Sequence, residues 1–168
     1  MKTPYMNAVQ PDSSSSAFAQ FGVSTMTDEA VTEALNLAVR THRQLLAHCN
    51  GDAAAAQYLS CAEAVPDQDA LAAIRPVMIH AQLLALDQLD RVKALGMIPS
   101  FFTAHSYHWG DIHIQNFGPE RASQISPAKS ALDKGILFTF HQDSPVIEPD
   151  MLETIWCATN RITKNGVK

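Results

Sequence analysis

The stretch Arg-Pro-Val-Met-Ile-His, residues 75–80, decides how the rest of this chain is expected to fold. It is a short run of apolar residues that ends in an ionisable side chain, and a helical pattern follows it. Apolar runs that do not alternate with polar residues are typical of strands in a parallel sheet covered on both faces. The stretch therefore predicts a buried strand that ends at His80.

The same pattern occurs in three other parts of the chain. Each apolar run ends in or just before an ionisable side chain: 44–48 with His48, 97–103 with His105, and 136–140 with Asp143. Amphipathic helices are predicted around these runs, at 28–43, 52–64, 85–95 and from Pro149 onward. Because strand and helix alternate, we expect right-handed βαβ units and an α/β fold with a parallel sheet.

Two architectures fit this alternation. Four strand–helix units are half of a (β/α)8 barrel, which usually needs about 250 residues. A small open, doubly wound sheet is the competing architecture. No glycine-rich phosphate loop follows any of the apolar runs, which argues against the nucleotide-binding version of the open sheet.

The chain is predicted to divide into two parts. Residues 1–26 are expected to be an irregular N-terminal segment, because Pro4, Pro11 and the serines at 13–16 interrupt any regular pattern. Residues 27–168 form the predicted domain. Within it, 106–117 is predicted to be a long loop, on which His108 and His113 are expected to face solvent.

Composition excludes several classes of function. The 168 residues carry a net charge of −5 without a basic run, so we expect no nucleic-acid partner and no anionic membrane surface. No stretch approaches the roughly 20 apolar residues that span a bilayer, and the N-terminus lacks the apolar core of a secretory signal. The three cysteines form no CxxC pair, which suits free thiols in a reducing compartment. We therefore expect a cytoplasmic protein.

The ionisable side chains at the strand ends are the candidates for chemistry. In parallel barrels these ends meet at one edge, where the active site lies. Two or three imidazoles and a carboxylate at one point form a typical site for zinc or a similar divalent ion. Such an ion lowers the pKa of bound water, and a carboxylate can then carry the proton to the leaving group. A single histidine near a strand end is more often a core or loop residue, so the prediction depends on the repetition at all four strands.

Four motifs in chain order resemble the second half of an amidohydrolase barrel. They are HCNGDA at 48–53, RPVMIHAQ at 75–82, FTAHSYHWGD at 102–111 and FHQDSPVIEPD at 140–150. The resemblance extends from about Thr27 to the C-terminus, and the branch it favours contains the N-substituted formamide deformylases. It implies a partial (β/α)8 TIM-type barrel made of strands five to eight with their helices.

The same resemblance implies a function and a set of site residues. Family members hold one or two divalent ions, usually zinc, and hydrolyse carbon–nitrogen bonds in small amide-type substrates. By the matching motifs, His48, His80 and Asp143 would bind metal, and Asp143 would also carry the proton. His105 would contact the substrate or stabilise the transition state. Tyr107 and Trp109 would line the substrate pocket, unless they simply pack the loop.

The chain also departs from the family pattern. The family's first strand carries a His-x-His pair of metal ligands, and no such pair precedes His48. His141, like His105 and His108, falls too late in the chain to supply it. The segment at 3–5 resembles sequence found just after the fourth strand, so we expect a chain shortened at both ends.

Three hypotheses remain open on this sequence. The first is a hydrolase that works as part of a larger or assembled barrel. The second is a non-catalytic truncated fragment that self-associates through exposed barrel edges. The third is a small-ligand binding module on an open α/β sheet.

Overall fold

A parallel sheet forms the centre of the molecule. The computed structural model describes Met6 and residues 22–168. Its strands are β1 (Leu46–Cys49), β2 (Val77–His80), β3 (Ile98–Phe101) and β4 (Thr139–Phe140). They lie side by side in chain order, and each neighbouring pair is parallel. The predicted α/β fold with a parallel sheet is therefore confirmed. Most of the predicted irregular segment at 1–26 lies outside the described residues.

Helices connect the strands. They are α1 (Asp28–Arg40), α2 (Asp52–Glu63), α3 (Gln68–Ile74), α4 (Leu89–Ala94), α5 (His105–His108), α6 (Gly110–Phe117), α7 (Pro119–Ser123), α8 (Ala128–Asp133) and α9 (Met151–Asn160). A 3-10 turn at Leu86–Gln88 precedes α4. Within the described ranges, no helix is long and apolar enough to cross a bilayer.

Local sequence signals explain where several helices begin and end. The Thr27 side chain accepts a hydrogen bond from the amide of Ala30 and so caps the start of α1. The Asp150 carboxylate caps α9 in the same way, through the amides of Leu152 and Glu153. These caps satisfy amide groups that have no partner within the helix.

The main core lies between the sheet and the helices that cover it. Its fully buried side chains include Leu35 of α1, Leu59 of α2, Met78 of β2 and Phe101 of β3. All four residues of β3 are buried, whereas burial alternates along β1. In the described part of the chain, β1 is thus covered on one face and open on the other.

Two local predictions are wrong. The segment 106–117 is not a loop but contains most of α5 and all of α6, closed by local bonds such as the His113 amide to the Trp109 carbonyl (2.9 Å). The predicted strand at 136–140 shrinks to Thr139–Phe140. The amide of Ile136 instead bonds the carbonyl of Ala131 and ends α8, so it is not available to the sheet.

Candidate metal centre

The carboxyl edge of the sheet gathers histidines from three strands. Cys49 of β1 lies beside His80 at the end of β2, and His80 lies beside Phe101 at the end of β3. The amide of His141, the first residue after β4, bonds the carbonyl of Phe101 at 3.1 Å. Because the strands are parallel and in register, residues far apart in the chain reach one edge.

Three side chains at this edge are placed to share one ion. His80, His141 and Asp143 each offer a ligand atom, and these atoms all lie within 4.8 Å of one another. His80 Nδ1 and His141 Nε2 are 3.2 Å apart. Two nitrogens bound to one tetrahedral zinc ion at ordinary bond lengths lie about 3.3 Å apart. The spacing of the two imidazoles therefore fits a shared divalent ion.

Burial keeps both of these imidazoles neutral. His80 is 4% exposed, and desolvation lowers its pKa to about 4, with further lowering by the nearby rings of His48 and His141. Desolvation also lowers the pKa of His141. The nearby Asp143 carboxylate raises that pKa, but by less than burial lowers it. A neutral imidazole has a free nitrogen lone pair at neutral pH, and that is the form that binds a metal ion.

A hydroxyl group orients one of the two rings. Ser100, a buried residue of β3, lies 2.8 Å from His141 Nδ1 through its Oγ. When that nitrogen carries the proton and donates it to Ser100, the lone pair of His141 is fixed on Nε2, the atom next to His80. Such an outer partner fixes both the tautomer and the direction of a ligand histidine.

The backbone at this edge is held in an uncommon conformation. His80, Ala81 and Asp143 have φ values of 69°, 46° and 53°, in the left-handed region that residues with a Cβ seldom adopt. Residues held there cost free energy and cluster at functional sites. The two strand ends that carry His80 and Asp143 are thus strained where their side chains meet.

His48, the predicted ligand from β1, lies next to this group without joining it. Its ring packs edge-on against His80, with centroids 4.5 Å apart, and its side chain is exposed. The three ligand atoms that lie within 4.8 Å of one another belong to His80, His141 and Asp143. His48 is therefore near enough to join the site only if its side chain turns toward it.

His105 lies beside the same edge of the sheet. Its ring centroid is 6.3 Å from that of His80 and 5.0 Å from that of Trp109. Burial lowers the pKa of His105 to about 3, and the nearby histidines lower it further. Its Nδ1 is 3.1 Å from Nε2 of His113. His113 is 2% exposed, so the expectation that it faces solvent is wrong.

The two aromatic residues predicted to line a substrate pocket have different neighbours. Trp109 contacts His105 and Phe102, so it borders the group of histidines. Tyr107 packs against Trp156 of α9, with ring centroids 5.4 Å apart, and the Lys164 ammonium lies 5.9 Å from its ring centre. In the described part of the chain, only Trp109 of these two contacts His105, whose ring lies beside that of the candidate ligand His80.

Sequence reasoning did not propose His141 as a ligand, although a signal was present. His141 and Asp143 are two residues apart directly after a strand, and residues at that spacing project to the same side of extended chain. The place of His141 in the chain only excludes it from the missing first-strand pair. Its position beside Asp143 was the informative feature.

The comparisons with known proteins give the family of this chain. The model of the amidohydrolase family matches residues 2–167, so the chain belongs to that family. No curated protein matched the chain in a sequence search.

Three solved structures have a similar fold. An uncharacterized metal-dependent hydrolase from Pyrococcus furiosus is 27% identical, with a TM-score of 0.69 over 84% of this chain and 28% of that one. Another, from Pyrococcus horikoshii OT3, is 24% identical, with a TM-score of 0.76 over 99% and 32%. A Xaa-Pro dipeptidase with bound methionine in its active site is 16% identical, with a TM-score of 0.52 over 81% and 33%. The chain thus spans about a third of each of these proteins.

Proposed function

We propose that this chain supplies the metal-holding part of a hydrolase that cleaves carbon–nitrogen bonds in small amide-type substrates. The observation that carries the proposal is the meeting of His80, His141 and Asp143 at the carboxyl edge of the sheet, in a member of the amidohydrolase family. We propose further that the four strands correspond to strands five to eight of a (β/α)8 barrel, and that residues 27–168 form this half.

The donor set favours zinc among the common divalent ions. Imidazole nitrogens suit zinc and similar transition metals, whereas magnesium and calcium prefer oxygen ligands. His80, His141 and Asp143 would hold the ion, and His48 would complete its coordination or bind a second ion. Two neutral imidazoles, one of them fixed by Ser100, and an exposed carboxylate make a suitable set.

Asp143 is the residue proposed to move the proton. A zinc ion bound here supplies Lewis acidity, which makes water a stronger acid and polarises a carbonyl oxygen. The Asp143 carboxylate is exposed at the site, so it can accept a proton from water and give it to the leaving nitrogen. His80 and His141 stay neutral and cannot serve as the acid at neutral pH.

The substrate side of the site is proposed to lie between His105 and the aromatic residues. His105 would accept a hydrogen bond from the substrate N–H, and Trp109 would contact the substituent. Tyr107 would extend that wall on the side of α9. The resemblance to N-substituted formamide deformylases makes N-substituted formamides the first substrates to try.

The site is proposed to work within a larger or assembled barrel. β1 and β4 are the outer strands of the described sheet, and Leu46 on β1 is 58% exposed while Leu137, just before β4, is 59% exposed. Open edges with exposed leucines favour pairing with further strands. The same observation supports the second candidate function, a non-catalytic fragment that self-associates. The three cysteines are free and buried, as expected in the cytoplasm, where we place the protein.

A paired assay separates the two candidates. The zinc-loaded chain is incubated over a range of concentrations with an N-substituted formamide and, in parallel, with the matching formate ester. Release of amine and formate in equal amounts, lost in Asp143→Asn, supports the hydrolase. Sedimentation in the same buffer gives the state of assembly. Self-association without amine release at any concentration would favour the non-catalytic fragment and contradict a hydrolase assembled from copies of this chain.

A further inference from the structure

His105 belongs to a group of three polar side chains, of which the other two are buried. The group consists of Gln82, which follows β2, His105 on α5 and His113 on α6. His113 Nε2 is 3.0 Å from the Gln82 amide nitrogen and 3.1 Å from His105 Nδ1, and the amide nitrogen is 3.4 Å from His105 Nδ1. Gln82 is 4% exposed and His113 is 2% exposed, so water cannot easily replace any of these contacts.

The donors in this group define where the protons lie. A neutral imidazole ring carries one proton and one lone pair, so the contacts of its nitrogens show which of them is the donor. The Gln82 amide nitrogen can only donate. Its short contact with His113 Nε2 therefore requires that nitrogen to be the acceptor. Two lone pairs would repel each other at the 3.1 Å between His105 Nδ1 and His113 Nε2, so the ring proton of His105 is assigned to Nδ1. The longer contact of 3.4 Å between the Gln82 amide nitrogen and His105 Nδ1 is then not a hydrogen bond.

We infer that His113, backed by Gln82, is a positioning residue that holds the His105 proton on Nδ1 and so leaves the lone pair of His105 on Nε2. The use made of that lone pair rests on the function proposed above, in which His105 faces the substrate. The placement of the proton does not, because it follows from the contacts of the three side chains alone.

A packing role alone does not explain a histidine at this position. The ring of His113 stacks on Phe117, with centroids 5.2 Å apart and planes 11° apart. A phenylalanine would make the same stack without a polar atom. Instead, His113 Nδ1 is buried and has no hydrogen-bond partner among the residues that the structure describes. A buried polar atom without a partner costs stability, so the ring is better explained by what its Nε2 accepts.

The assignment can be tested by nitrogen NMR without metal and without substrate. Long-range proton–nitrogen spectra of the labelled chain, recorded in chelator at near-neutral pH, show which ring nitrogen of each histidine carries the proton. We expect His105 as a single form protonated at Nδ1. A His105 ring protonated at Nε2 would overturn the inference. Neither result depends on whether the chain binds zinc or hydrolyses an amide, so this test and that of the proposed function can fail separately.

Variants show whether His113 is the cause. His113→Phe keeps the stack on Phe117 but removes the acceptor, and we expect His105 to become a mixture of both tautomers. His113→Gln returns an acceptor to the place of Nε2 and should restore the Nδ1 form. The control is His108→Asn, since His108 instead contacts Glu153 at 3.1 Å. A His105 signal unchanged in His113→Phe, or altered equally in His108→Asn, would overturn the inference.

A second variant keeps the test decisive if His113→Phe does not fold. Gln82→Met keeps the length of the side chain and removes the amide donor. His113 Nε2 is then free to hold its own proton, so the fraction of His105 protonated at Nδ1 should fall. An unchanged fraction would mean that Gln82 does not set the direction of the bond, and the inference would be wrong.

Discussion

The two edges of the sheet use the same backbone conformation for different purposes. At the amino edge, left-handed residues lie one or two positions after helices that lead into strands: His42, Arg75, Gly96 and Gly135. Their amides bond the last carbonyls of those helices, as in the bond from Gly96 to Lys93 at 3.1 Å. This is an ordinary way for a helix to end.

At the carboxyl edge, no helix ends at the left-handed residues. His80, Ala81 and Asp143 adopt this conformation at the ends of strands, and all three have a Cβ. The free-energy cost of this left-handed conformation is therefore not explained by a helix cap. It occurs where the candidate metal ligands lie close together. The comparison teaches that the amino edge is built for stability, whereas the carboxyl edge gives up stability to place side chains.

The largest expected effect is the loss of a ligand at the carboxyl edge. We expect His80→Ala to weaken zinc binding by more than about 100-fold, because a protein ligand contributes at least as much as an outer partner. Competition with a chromogenic chelator measures the affinity. His108→Ala, on α5 but outside the three-residue group, is the matched control and should bind zinc as the native chain does. Equal affinity in both variants would remove His80 from the site.

Acidification should weaken the fold through the same edge. An unfolded histidine titrates near pH 6.5, whereas the folded rings of His80 and His105 have pKa values of about 4 and about 3. Below about pH 6.5 the unfolded chain therefore binds more protons, and stability falls as pH falls toward those lower values, by about 1.4 kcal/mol per pH unit for each histidine.

Urea unfolding of the metal-free chain between about pH 7 and pH 5 measures this slope. In His80→Asn the free energy of unfolding should change less steeply with pH, by the amount that one histidine contributes. A stability that stays constant over this range, or an unchanged slope in the variant, would mean that the rings are not held neutral by the fold.

A smaller effect is expected from the hydroxyl that orients His141. Ser100→Ala removes the 2.8 Å contact with Nδ1 and should weaken zinc binding roughly 10-fold, the lower end of the effect of an outer partner. Ser106→Ala is a suitable control, because Ser106 is also buried but donates to the carbonyl of Thr103. If both variants bind zinc equally well, Ser100 does not orient the ligand.

The smallest effects test the comparison of the two edges directly. Gly135→Ala adds a Cβ that meets no atom within 4 Å, so only the left-handed backbone opposes it, and we expect a loss of about 1 kcal/mol. Ala81→Gly at the carboxyl edge relieves that strain but also removes a buried methyl group and adds flexibility to the unfolded chain, so we expect the effects to nearly cancel, with a change of less than about 1 kcal/mol. Thermal unfolding compares the two. A loss of more than about 1 kcal/mol in Ala81→Gly would show that its left-handed conformation carries no strain.

The sequence allowed much of the fold to be predicted, because each strand is a short apolar run with a helical pattern beside it. The α/β class, the parallel sheet and the end of β2 at His80 followed from those runs, whereas β3 ends at Phe101, two residues before the predicted run 97–103 does. The length of β4 could not be predicted, since the apolar run at 136–140 does not show that Ile136 serves the end of α8.

The site was only partly predictable for a related reason. Strand ends indicate which residues reach one edge, and this placed His80 and Asp143 together. They do not give the rotation of a side chain, so the contact between His80 and His141 could not be foreseen. Nor could the burial of His113, since the polar pattern around it predicts exposure and its cover comes from Gln82 and Phe117.

The most direct test of the central claim is a crystal of the chain grown with zinc and measured on both sides of the zinc absorption edge. We expect an anomalous peak bound by His80 Nδ1, His141 Nε2 and the Asp143 carboxylate, with His141 Nδ1 still bonded to Ser100. Zinc bound only elsewhere, or no peak at a zinc concentration that saturates the chain in solution, would contradict the claim that this edge of the sheet is a metal centre.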